Sequence, residues 1–139
     1  MTNEQRVRRY WESFWSHGDT AAVDDFYAQT FRLNGEEVRR DEWRDGAVRW
    51  RSSFRKLSAT VDLLLACGAS MVVSRVLYSG TFERDEYLGL APRGREIDIS
   101  GLDLFRFEDG HVVDHWHEAD HHRMFVQLGA ELRPAGESH

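Results

Sequence analysis

At Phe54 the hydrophobic period of the chain changes from 3.6 to 2, and that single switch excludes most fold classes. Before it, apolar residues recur at helical spacing. The segment NEQRVRRYWESFWSHGD carries Val7, Trp11 and Phe14, with Tyr10 and Trp15 widening the stripe. Gly18 is placed to end that helix at the left-handed position after the cap. Asp19 or Thr20 is expected to start a second helix, with Ala22, Val23, Phe26 and Tyr27 on its buried face. TFRLNGEEV reads as a short strand with a tight turn at Asn34-Gly35. A third helix is expected from Asp41, its stripe Trp43, Ala47, Trp50 and Phe54 spaced to bury one face.

After the switch the chain alternates. KLSATVDLLLACG places Leu57, Ala59, Val61, Leu63 and Leu65 on one face. MVVSRVLYSGTFE, RGREIDISGLDLFRF and HVVDHWHE follow as strands, the last two joined by a hairpin signal at Asp109-Gly110. ERDEYLGLAPRG is a long, turn-rich connection, and DHHRMFVQLGAEL a short helix ended by Gly129. Helices first and hairpin-linked strands afterwards predict an α+β domain, helices packed on a curved antiparallel sheet. Residues 1–139 are read as one domain, with 132–139 as a flexible tail. An apolar pocket between helices and sheet is the default position for a site.

Bulk properties narrow the function. The net charge of −6 argues against nucleic acid as a partner, since phosphate contacts need surplus Lys and Arg. Arg49, Arg51 and Arg55 read as a solvated helix face. No apolar run approaches the roughly 20 residues of a membrane span, and the N-terminus lacks the apolar stretch of a secretory signal. The one cysteine, Cys67, excludes an internal disulfide framework and a multi-cysteine zinc site. A cytoplasmic location is the resulting expectation.

Chemistry is concentrated near the end of the chain, where five of seven histidines fall within HVVDHWHEADHH. His115 and His117, two apart on a strand, point to one face and could share a zinc ion. His111 has the same parity but lies about 13 Å from His115 at strand rise. A third ligand would have to come from Asp103, His121 or His122, and no metal is expected. Asp120, at the hand-over from strand to helix, has two readings. In an aromatic-walled cavity it would be a carboxylate of raised pKa suited to acid/base work, with His115 or His117 beside it. Equally, it is what a helix N-cap looks like. On the third long strand Asp103 stands alone on an apolar face, and Arg75, between Val73 and Leu77, is its expected partner.

Gly94-Arg95, Gly101, Asp103, Phe105-Arg106, Asp109-Gly110, Val113, His115-Trp116, Asp120 and Gln127-Leu128-Gly129 follow one another in an order that resembles the SnoaL-like polyketide cyclases. Upstream, Arg75, Gly80-Thr81, Leu88-Gly89, Ala91-Pro92 and the Asn34-Gly35 turn fit the same pattern, so the resemblance spans essentially the whole chain. It implies the cone-shaped fold of nuclear transport factor 2 and ketosteroid isomerase, a homodimer or homotetramer packed through the sheet, and activity without cofactor or metal. It also implies that Asp120 is the acid/base of an intramolecular aldol ring closure, or an isomerisation, of a small hydrophobic polyketide-like substrate. His117 and His115 are then its candidate partners, with Asp103 and Arg75 organising the pocket. Asn34, Trp11, Trp15, Trp43, Trp50, Phe54, Phe82, Phe105 and Trp116 are the candidate substrate contacts. Where many members carry histidine after Gly-Thr, this chain has Phe82, and it has Arg84 where a glycine is usual. The alternatives are hydrolysis or rearrangement of an epoxide or ester, with paired carboxylates and Arg75 activating water, and ligand binding without turnover.

Overall fold

In a computed structural model that describes residues 1–131 and 133–136, four helices and six strands form one mixed α+β unit. The expected tail, 132–139, lies partly outside the described residues. The first helix, α1 (Asn3–Arg9), opens with a capping box: the Thr2 hydroxyl accepts from the Gln5 N–H and the Gln5 side chain returns to the Thr2 N–H. It continues as seven residues of π-helix, Tyr10–Ser16. The periodicity alone predicts an ordinary α-helix there. The wider i→i+5 coil has a packing consequence, because Tyr10, Trp11, Phe14 and Trp15 all turn toward the interior. The Trp11 indole N–H donates to the buried Ser74 hydroxyl at 3.0 Å, pinning this helix to the sheet.

Helix α2 (Ala21–Phe26) stops one residue earlier than its apolar stripe suggests, and Tyr27 begins β1 (Tyr27–Leu33). The turn at Asn34 and Gly35, both at positive φ, leads to β2 (Glu36–Arg39) and then α3 (Arg40–Arg51). Phe54, the expected last residue of the α3 stripe, starts β3 (Phe54–Cys67) instead. The long strands β4 (Met71–Phe82), β5 (Glu96–Glu108) and β6 (His111–Ala119) follow, and α4 (His121–Gln127) closes the chain. Asp109 and Gly110 make the two-residue turn between β5 and β6, both at positive φ, as the Asp-Gly signal predicts.

The strands form one curved, open sheet in the order β2-β1-β6-β5-β4-β3. All neighbours are antiparallel except β1 and β6, which run parallel. The curved, mainly antiparallel sheet expected from the sequence is present, with this one parallel pair within it. Tertiary closure, and not a hairpin, brings these two strands together across more than seventy residues of sequence.

On β5 the side chains of Ile97, Ile99, Asp103, Phe105 and Phe107 all face the helices and are buried. Gly101 interrupts that row for a steric reason. A Cβ at this position would come 2.9 Å from the Tyr78 ring, which lies across β5 there. The missing side chain thus admits Tyr78 and widens the space above Asp103. The opposite face of the sheet exposes Leu63, Leu65, Leu77, Leu102 and Trp116. Among the described residues no helix is long and apolar enough to cross a membrane.

Candidate active site

Between the helices and the inner sheet face lies a cavity of about 360 Å³. Its walls are Trp15, Trp43, Trp50, Tyr78 and Tyr87, its outer lip Phe125 of α4, and its polar floor Asp103, His115 and His117. Strand register explains the floor. Asp103 pairs directly with Ser74 on β4 and with His117 on β6, while His115 stands opposite Phe105, two residues along the same face. Both imidazoles therefore reach one carboxylate oxygen: His117 Nδ1 lies 2.6 Å and His115 Nε2 2.7 Å from Asp103 Oδ1. The second oxygen, Oδ2, is buried without a partner among the described residues.

Behind His115 the network continues into the core. Its Nδ1 lies 3.0 Å from the Tyr27 hydroxyl, which is 2.8 Å from the Tyr10 hydroxyl. An ionised Asp103 accepts, so His115 carries its proton on Nε2 and leaves Nδ1 to accept from Tyr27. The Tyr10 and Tyr27 hydroxyls share the next hydrogen bond inward. His117 likewise donates from Nδ1, which leaves its Nε2 as the nitrogen available to a ligand in the cavity.

The electrostatics separate the two histidines. Burial drives the pKa of His115 below the ordinary histidine value, and the hydrogen bond and charge of Asp103 do not overcome it. Burial acts in the same direction on His117, but it is only partly enclosed, and there the Asp103 hydrogen bond and charge win and raise its pKa. For Asp103, burial pushes upward, and hydrogen bonds from His115 and His117 outweigh it, so its pKa falls below the ordinary carboxylate value. Burial lifts Tyr10, Tyr27 and Tyr78 well above ordinary phenols, so all three are neutral hydroxyls at physiological pH.

These shifts have opposite consequences for stability. The His115 contribution is complete above the unfolded value of about 6.5 and is lost as pH falls toward its lower folded pKa. The His117 contribution is complete below about 6.5 and is lost as pH rises through its higher folded pKa. The Asp103 contribution persists until pH falls from the carboxylate range through its still lower folded value. A series of urea midpoints against pH is therefore expected to peak near neutrality, and His117→Gln is expected to abolish the decline on the alkaline side only. An unchanged alkaline decline in that variant contradicts the assignment.

Donor atoms of Asp103, His115 and His117 lie within 4.8 Å of one another, a set that can hold a divalent cation. The contacts themselves are hydrogen-bond lengths. Ligands sharing a tetrahedral zinc at about 2.1 Å sit about 3.4 Å apart, so a bound metal would replace these hydrogen bonds and spread the three side chains.

The structure distributes the other sequence candidates unevenly. Trp11, Trp15, Trp43 and Trp50 line the cavity. Phe105 is fully buried and lies 4.3 Å from the His115 ring between centroids, supporting it from within the core. Phe54 and Phe82 pack on each other beyond the cavity wall at 4.6 Å, and Tyr87 lies tilted against Phe82 at 5.0 Å. Trp116 points outward from the sheet, opposite in parity to His115 and His117. Asn34 lies in the β1–β2 turn; its N–H donates to the His115 carbonyl at 2.8 Å, and its side-chain oxygen accepts the His117 N–H at 2.9 Å. It thus holds the backbone of both histidines.

Arg75 does not meet Asp103. Its register partner on β5 is Leu102, and its guanidinium pairs with Asp62 on the outer face. One residue of parity separates the two faces, and Ser74 occupies the inner position. Asp120 is exposed and caps α4, its carboxylate accepting the Arg123 N–H at 3.0 Å, and it is not among the residues lining the cavity. His121, which follows it, is. Sequence reasoning also missed Tyr10, Tyr27 and Tyr78. Each sits in an apolar stripe where tyrosine reads as core, and nothing local reveals that its hydroxyl meets a histidine or the cavity.

Comparison with known proteins gives a consistent background. A family model described as SnoaL-like polyketide cyclase matches residues 5–128. TsrD from Streptomyces laurentii is 28% identical and superimposes with a TM-score of 0.81 over 92% of this chain and 95% of its own. IdmH from Streptomyces antibioticus, named as a proposed polyketide cyclase, is 24% identical with a TM-score of 0.78 over 94% and 100% of the two chains. AclR from Streptomyces galilaeus, named as a proposed hydroxylase, shares the fold at 19% identity and a TM-score of 0.77 over 91% and 95%. No curated protein matches the sequence significantly.

Proposed function

Since this chain belongs to the SnoaL-like polyketide cyclase family, we propose that it is an enzyme that closes a ring in a small, flat, polyketide-like substrate by acid/base chemistry, with His117 moving the proton. The observation that carries this reading is the 2.6 Å hydrogen bond between Asp103 and His117 on the floor of an aromatic-walled cavity. His117 Nε2 takes a proton from a carbon activated by neighbouring carbonyls, and Asp103 stabilises the imidazolium that forms. The resulting carbanion attacks a second carbonyl carbon of the same molecule, and the new alkoxide takes up a proton. His115, neutral and braced by Tyr27, holds Asp103 in place. The tryptophans orient two segments of one chain and exclude water, which is the larger part of what such a closure needs.

Asp120 has a different part in this reading from the one implied by family resemblance. It caps α4, and the proton transfer passes to His117. The alternative in which Arg75 and a carboxylate activate water for epoxide or ester opening loses its Arg75 leg, because that side chain lies across the sheet. The test uses 5-nitrobenzisoxazole, a flat ring opened when a base removes its carbon-bound proton and the N–O bond breaks. Native protein is expected to accelerate the opening, His117→Gln to abolish most of that acceleration, and a chelator to leave the native rate unchanged. Loss of rate on chelation with recovery on adding zinc would assign the floor to a metal instead.

The exposed apolar sheet face supports a second element of the proposal, self-association through the sheet. Leu77 and Leu102 lie near its middle, beside the Arg75–Asp62 pair. Native protein is expected to elute at the mass of a dimer or tetramer. Leu102→Lys is expected to elute as a monomer with an unchanged circular dichroism spectrum. A native monomer rules the association out.

A further inference from the structure

We infer that His121 is a second proton-transfer group of this cavity, facing the oxygen that becomes negative, and that Asp120 is a positioning residue acting through it. The inference rests on the reading of His117 as the base.

His121 is the first residue of α4, and its imidazole forms part of the cavity wall. Its ring centroid lies 6.2 Å from that of His117. Among the described residues its side chain has no hydrogen-bond partner, so both nitrogens are available. The position is held firmly from the backbone side. The Asp120 N–H donates to the Ser100 carbonyl at 3.0 Å, its carbonyl accepts the Met124 N–H at 3.2 Å, and its carboxylate accepts the Arg123 N–H at 3.0 Å. Farther along, Arg123 Nε and the Gln127 side chain both bond the backbone of Asp98 at the start of β5. Helix α4 is thus fastened to β5 along its length, and His121 is carried to the lip opposite His117.

Ring closure has two proton transfers, and a pair of groups at such a separation can serve one each. A proton leaves one carbon, and a proton arrives at an oxygen attached to another. Each transfer needs a side chain about 3 Å from its own atom, so donor and acceptor stand on either side of the forming bond. The carbon's proton passes to His117 Nε2. The electron pair left behind forms the carbon–carbon bond, the carbonyl π pair moves to oxygen, and imidazolium His121 protonates that oxygen. His117 ends charged and His121 neutral, and exchange with water at the lip restores both with no net proton consumed.

The test uses 4-nitrophenol, whose phenolate is coloured and stands in for the oxyanion. Below the phenol's own pKa, native protein is expected to bind it and increase the phenolate band. His121→Phe keeps an aromatic wall and removes the donor, and binding of the phenolate is expected to weaken about tenfold or more. Asp120→Asn caps a helix as well as aspartate does, so it is expected to keep native binding, whereas Asp120→Ala weakens it. Native binding by His121→Phe, or no binding by the native protein, overturns the role of His121. Loss of binding in Asp120→Asn with circular dichroism unchanged overturns the positioning role and returns the carboxylate itself to the chemistry. The His117→Gln arm with 5-nitrobenzisoxazole reports on the base, and the His121→Phe arm with 4-nitrophenol on the second group, so failure of the base and failure of the second group are told apart.

Discussion

Replacing His117 with glutamine is expected to lower carbon deprotonation by about 10²- to 10⁴-fold, the range a positioned acid/base group supplies. The side chain is half enclosed, its Nδ1 donates to Asp103, and its Nε2 is left to the cavity. Glutamine preserves approximate size and one donor and cannot take up a proton in this range. The pH dependence carries more information than the rate alone. With His117 as base, kcat/KM rises with pH through a pKa above the ordinary histidine value, because Asp103 favours the imidazolium. Asp103→Asn removes the charge that raises it. The ascending limb is then expected to move to lower pH, with a lower plateau, while substrate affinity changes little. A limb that stays in place in Asp103→Asn removes the dyad from the mechanism. A limb that survives in His117→Gln removes the base.

The second large effect is on stability. Phe105→Ala is expected to cost about 3–5 kcal/mol, the range for removing a large buried aromatic. Phe105 is fully buried and touches the interior on every side. Tyr10, Trp11, Phe26 and His115 all have rings within 6.3 Å of its own. Domains of this kind keep only about 5–15 kcal/mol in total, so the variant is expected to show a markedly lower urea midpoint. It was expected from sequence to contact substrate. Its position beneath His115 predicts instead a stability loss together with loosening of the floor. Phe105→Leu separates the two effects, retaining more of the packing and lacking the flat surface under the imidazole. If Phe105→Leu matched native stability and lost substrate binding alone, direct contact would be the correct account.

Asp103 shows how far a sequence can be read. Its solitary place on the apolar face of β5 predicts that it must be paired, and the structure pairs it. The identity of the partner was not legible. Arg75 has the right charge, but it points to the other side of the sheet, and parity within a single strand does not say which face will be covered. His115 and His117 share a face with each other from their spacing alone. That the same face contains Asp103 depends on the register of β5 against β6, which is set by the Asp109-Gly110 turn and a bulge near Phe107. Asp120 was legible both as a helix cap and as a candidate acid/base, and its carboxylate accepts the Arg123 N–H as a cap does.

From its order of residues alone, the chain determined the sequence of helices and strands, the hairpin at Asp109-Gly110 and the side chains able to carry chemistry. Those are local properties: they follow from period, turn geometry and residue type, each contained within a few neighbouring positions. Tertiary structure alone decided that β1 runs parallel beside β6, that the first helix continues as a π-helix over Tyr10–Ser16, and that Tyr27 braces His115 from the core. It also decided which histidine is neutral. The difference between His115 and His117 is one of burial around a shared carboxylate, and burial is a property of the whole packed molecule, to which no single segment of the chain has access.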